Sequence, residues 1–199
     1  NPLTADWDLP TRYDRIVQLI KAKNSYDLQY MKTMQSDTLS LGATPLLEFF
    51  KSSQSNHPLG AKVLSLIQNF DGNMSADSPG ALIFNAWADQ LTRNVFSRLS
   101  YLFFDNYGAR NFRYPLIAVL QNPNSPWCDI PKTPAIETCA ESSNIAFDRA
   151  LEYLSKQYGS DPTSWAWGKA HIAISEHRPL SKIPVLGDRK STRLNSSHL

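Results

Sequence analysis

The pair Ser78-Pro79, followed by an apolar run from Ala81 to Leu102, most limits what this chain can fold into. A serine hydroxyl accepts from the free N–H groups that open a helix, and proline fits the first turn, where its missing N–H costs nothing. Within the run, Leu82, Ile83, Trp87, Leu91, Val95, Leu99 and Leu102 recur at helical spacing and spread around much of the girth. A helix over residues 80–104 with so wide an apolar surface needs neighbours on several sides. The expectation is a mainly α architecture packed around this element.

The rest of the chain supplies candidates for those neighbours. Thr11 is placed to cap a helix over 12–23, with Ile16, Val17, Leu19 and Ile20 on one face. Ser25 heads a short helix through Leu28, Met31 and Met34. From Ser36 or Asp37 the pattern continues helically through Leu39, Leu41, Leu46, Leu47, Phe49 and Phe50, with a break at Pro45. His57-Pro58 opens a helix carrying Val63, Leu64, Leu66 and Ile67, and Asp71-Gly72 makes a turn. A short helix over 115–120 leads to one capped by Ser142 or Ser143, carrying Phe147, Ala150, Leu151 and Leu154 and closed at Tyr158-Gly159. Only Ile172–Ser175 alternates as a strand does.

Five Trp, eight Tyr and nine Phe, with only 19% charged residues against a usual value of about 25%, fit a well-packed core and exclude a disordered chain. No uninterrupted apolar run reaches the roughly eighteen residues of a membrane span. Residues 188–198 read DRKSTRLNSSH, which matches the translation of a common sequencing adapter over eleven consecutive codons. Residues 188–199 are therefore expected to be a foreign, disordered tail, leaving 1–187 as the natural part. Arg189, Lys190 and Arg193 against Asp188 give that tail a net +2, the same as the whole chain, so residues 1–187 are neutral. The basic pI thus gives no reason to expect nucleic acid or a membrane as partner.

Cys128 and Cys139 sit in and just beyond a proline-rich loop over 122–134. Such a loop has little regular structure to hold it. A disulfide closing it would remove roughly 2–3 kcal/mol of unfolded-state entropy, and would require an oxidising compartment. The other reading is two unrelated thiols. The spacing is not C-x-x-C and no histidine lies nearby, so a metal site is not expected.

Other reactive-looking residues have ordinary explanations. Asp71, Asp77 and Ser78 are read as structural, because Asp71-Gly72 is a turn and Ser78 caps a helix. His171, Glu176 and His177 lack the spacing of a helical zinc motif, and Trp165 and Trp167 offer area for packing. No G-x-S-x-G, phosphate loop or glycine-rich dinucleotide fingerprint is present. Arg15, at the head of the first helix, could pair with Asp14 or Asp8 on the surface.

Two segments about ninety residues apart carry a resemblance. Asn69-Phe70-Asp71-Gly72-Asn73-Met74-Ser75-Ala76-Asp77-Ser78 and Ser164-Trp165-Ala166-Trp167-Gly168-Lys169-Ala170-His171, over a stretch of about 10–187, resemble the β chain of the penicillin acylase family. These are N-terminal nucleophile hydrolases. The resemblance implies the helical part of an α+β (αββα) fold and a periplasmic or secreted parent that cuts itself into two chains. It implies hydrolysis of N-acyl compounds, of penicillin or acyl-homoserine lactone type, through an N-terminal Ser upstream of Asn1. On that reading this chain is an inactive fragment whose partners are the substrate and the remaining α and β chains. Arg15-Ile16 resembles the family's arginine near the asparagine that completes the oxyanion hole, which gives Arg15 a supporting role; Asn1-Pro2 does not match the family's Asn-Asn. No cofactor is implied. A structural calcium in the parent is compatible, with Asp6 or Asp8 near one contributing region. The alternative is a non-catalytic helical binding domain.

Overall fold

Ser78 opens the central helix as its sequence suggests: its hydroxyl accepts from Ala81 N–H at 3.1 Å in the computed structural model of the chain. The structure describes residues 9–99, 113–175 and 192–195, the last strand and residues 173–175 as backbone. In order, the helices are α1 (Thr11–Lys21), α2 (Leu28–Gln35), α3 (Leu47–Lys51), α4 (Gly60–Ile67), α5 (Pro79–Val95), α6 (Arg113–Leu120), α7 (Cys139–Tyr158) and α8 (Trp167–Ala170). Strands β1 (Ile172–Ser175) and β2 (Thr192–Asn195) follow.

The core forms around α5 and α7, which make the most extensive helix–helix contact among the described residues. Trp87, Phe84 and Leu91 from α5 meet Phe147, Leu151 and Leu154 from α7, all buried. Phe50 of α3 lies between them, with ring centroids 5.3 Å from Phe84, 5.2 Å from Trp87 and 6.0 Å from Phe147. Full burial of each such side chain is worth about 1.5–3 kcal/mol, so this cluster dominates the stability of the helical part. The expectation of a mainly helical fold with a buried central helix is met.

Several boundaries differ from the sequence reading. The central helix ends at Val95 rather than at 104; Ser97 donates its hydroxyl to Asn94 O at 2.7 Å and closes the last turn. Residues 100–112, with Leu102, lie outside the described residues. Helix α2 is capped by Asp27, whose carboxylate accepts from Tyr30 N–H at 2.7 Å, and not by Ser25. Helix α7 begins at Cys139 because Thr138 and Glu141 form a capping box; Ser142 and Ser143 are turned into the core. Gly159 closes α7 with φ +88°, where a side chain would be strained.

Residues 37–41 do not continue a helix. Leu39 forms an isolated antiparallel bridge with Asn73; Ser40 N–H donates to Gly72 O at 3.0 Å, and Met74 N–H to Thr38 O at 2.9 Å. A tertiary partner overrode the local pattern there. At the chain's end β1 and β2 pair antiparallel, Ile172 opposite Asn195 and Ser175 opposite Thr192. This places a strand inside the stretch read as a disordered tail: backbone pairing needs only N–H and C=O groups, which a polar sequence supplies as well as an apolar one.

Candidate functional site

Helix α1 buries no side chain fully, yet one of its faces is occupied. Arg12, Arg15, Ile16 and Leu19 recur at helical spacing and line a cleft of about 330 Å3, closed opposite by Met34, Asp37 and Leu39–Leu41. In its lining Arg15 meets Asp37. Nε donates to Oδ2 at 2.9 Å and one terminal nitrogen to Oδ1 at 2.7 Å, a bidentate fork. The other terminal nitrogen donates to Gln18 Oε1 at 3.2 Å. Both partners are half-buried, with side-chain exposures of 24% and 18%.

The electrostatics follow from this geometry. The hydrogen bonds from Arg15 hold the Asp37 carboxyl below the usual carboxylate range, against the opposing effect of burial. The same bonds raise Arg15. A cation in the early turns of a helix opposes the macrodipole, and Asp37 supplies the compensating charge. The sequence reading offered Asp14 or Asp8 as surface partners for Arg15; the partner in the structure is Asp37, and Asp8 lies outside the described residues. The sequence pattern marks Asp37 only as a candidate helix start. Its pairing spans 22 residues, and no local signal marks it.

The two motif segments converge and serve this site indirectly. Trp167 N–H donates to Ser78 O at 3.2 Å, and Gly168 N–H to Ala76 O at 2.7 Å. Asp71 accepts from Asn73 N–H at 2.9 Å, and Gly72 takes φ +95°, the turn expected from the sequence. That turn carries Gly72 O and Asn73 against residues 38–40, immediately after Asp37. Trp165 is buried, with its indole N–H donating to Gly159 O at 2.9 Å. Trp167 stacks on His171 at 4.5 Å between ring centroids. These tryptophans pack, as expected; Glu176 and His177 lie outside the described residues.

Cys128 and Cys139 form a disulfide, with Cα atoms 4.9 Å apart. The loop between them is also held by Glu137, which accepts from Ile130 N–H at 2.9 Å and Thr133 Oγ1 at 3.0 Å. Among the described residues no group of three or more His, Cys, Asp or Glu is placed to hold a metal; Asp6 lies outside them. Ser55 and His57 are close in sequence to each other and in space to acids, but they make no nucleophile–base pair. Ser55 donates to Asp148, whereas His57 Nδ1 accepts from Leu59 N–H at 3.1 Å and Nε2 lies 3.4 Å from Glu152. No described helix is long and apolar enough to cross a membrane.

The sequence model of the penicillin amidase family matches residues 1–198. The acyl-homoserine lactone acylase QuiP of Pseudomonas aeruginosa is 26% identical over 213 residues, covering 93% of this chain and 24% of that protein. The acyl-homoserine lactone acylase QuiP of Pseudomonas putida is 24% identical over 190 residues, covering 85% of this chain and 23% of the relative. The chain therefore spans about a quarter of the length of the curated relatives it matches.

Proposed function

The chain belongs to the penicillin amidase family, and on that premise we propose that it forms part of an acylase that hydrolyses the amide bond of N-acyl compounds. The observation that carries this reading is the family match over residues 1–198. The relatives' names favour acyl-homoserine lactones over penicillins as the substrate class. In the proposed reaction the hydroxyl of an N-terminal Ser attacks the amide carbonyl, and its proton passes to the residue's own α-amino group. The C–N bond breaks, the amine leaves with that proton, and an acyl ester remains. Water then adds to the ester, releases the acid and restores the hydroxyl.

Residues 1–187 are proposed to hold the helical flank of an αββα fold, with the nucleophile on the rest of the parent, so that alone they do not turn over. Arg15 takes a supporting place beside the oxyanion site, where a planar, permanently charged fork can orient acceptors. The chemistry uses no cofactor, and any calcium in the parent would be structural. The Cys128–Cys139 disulfide supports a periplasmic or secreted location. Expression of the parent gene tests the proposal. Two chains, the second beginning with Ser, and loss of both self-cleavage and hydrolysis on its replacement by Ala are expected. A single uncut chain without hydrolysis would instead favour a helical binding domain.

A further inference from the structure

We infer that Asp37 is a positioning residue for the reaction, fixing the Arg15 guanidinium so that its unused donors face the cleft; this deepens the acylase reading and rests on it. A guanidinium carries five N–H donors in a rigid plane. Asp37 takes two and Gln18 one, leaving one N–H on each terminal nitrogen without a partner among the described residues. Two donors on adjacent nitrogens of one plane suit a single oxygen acceptor or a carboxylate.

The carboxylate that aims this plane is itself anchored. The chain just after Asp37 is bound to the Asp71–Met74 turn by Ser40 N–H to Gly72 O, Met74 N–H to Thr38 O, and Thr38 Oγ1 to Asn73 Oδ1 at 2.6 Å. That turn is joined through Ala76 and Ser78 to the backbone of Trp167 and Gly168. Asp37 thus transmits the position of the packed body to an arginine on α1, a helix with no fully buried side chain. A surface ion pair serving stability alone would be worth little and would not need such a platform.

The experiment uses the full-length, self-cleaved parent with a chromogenic N-acyl amide, measuring kcat, KM and the thermal midpoint. Arg15→Ala is expected to lower kcat about 10²–10³-fold. Asp37→Asn is expected to lower kcat up to about 10²-fold, the cost of misplacing a group near the chemistry, with a smaller change in KM. The double variant should fall within about three-fold of Arg15→Ala alone, since both remove one function. Asp37→Glu keeps the charge pair and hence the fold, but moves the fork by one methylene; it should lose turnover at an unchanged midpoint. A strictly structural pair would couple in midpoint and not in kcat. Normal turnover in both Asp37 variants beside an impaired Arg15→Ala would overturn the role of Asp37 alone. Normal turnover in Arg15→Ala would overturn the placing of Arg15, and with it this inference.

Discussion

The indole N–H of Trp87 on α5 donates to Ser143 Oγ on α7 at 3.1 Å, and that hydroxyl lies 3.3 Å from Ser53 Oγ just beyond α3. One serine therefore joins three helical segments inside the aromatic cluster. Ser143→Ala would strand a buried indole donor, which costs about 1–3 kcal/mol. Urea unfolding of the chain should show a lower midpoint at unchanged slope. Trp87→Phe combined with Ser143→Ala should lose less from polar mismatch than Ser143→Ala alone, because no donor remains to be satisfied.

Gly80 stands where α5 crosses Phe70. A Cβ there would lie 2.9 Å from Phe70 Cδ2, and that ring is itself wedged against Phe50 and Phe84. Alanine would otherwise stabilise a helical site by about 1 kcal/mol, whereas overpacking a core costs about 1–3 kcal/mol. Gly80→Ala is thus expected to destabilise. Adding Phe70→Leu should restore part of the loss, measured by the same unfolding curves.

Cys128→Ala with Cys139→Ala should lower stability by about 2–3 kcal/mol in the chain-entropy account, less whatever Pro131 and Pro134 already remove from the unfolded ensemble. Intact mass with alkylation under non-reducing conditions should find no free thiol in the oxidised protein. Reductant should lower the unfolding midpoint of the parent sequence and leave that of the double variant unchanged.

Glu137 is buried, and the hydrogen bonds it accepts, first from Ile130 N–H and also from the Thr133 hydroxyl, hold its carboxyl below the usual range. Its folded pKa therefore lies below its unfolded one. The stabilisation is complete above the unfolded value, about 4.3, and is lost as pH falls through the lower folded value. The stability difference between the parent chain and Glu137→Gln should be constant near neutral pH and shrink below about pH 4. A difference that persists unchanged into acid would show that the carboxylate charge does not hold the loop.

How much of this was legible in the sequence depended on distance along the chain. Ser78-Pro79 announced α5 because cap, proline and apolar spacing lie within one turn of each other. The start of α7 was misplaced because Ser142 and Ser143 look like caps, whereas the reciprocal pair Thr138 and Glu141 makes the stronger one. Leu39 and Leu41 lie two residues apart, a strand spacing too short to stand out before the helical run that follows, and Asn73 and Gly72 draw the backbone there into extended pairing. The site shows the same limit. Arg15 stood out through the family resemblance, but its partner Asp37 is set by a tertiary contact that no periodicity encodes. The two motif segments carry the resemblance only together, and the fold shows that they touch.

Product analysis on the self-cleaved parent tests the acylase account most directly. Given an N-acyl-homoserine lactone, the parent should release the free fatty acid and homoserine lactone in equal amounts, read by mass spectrometry, because the amide bond is the one cleaved. Substrate recovered intact, or opened only at the lactone with its amide retained, would contradict the account.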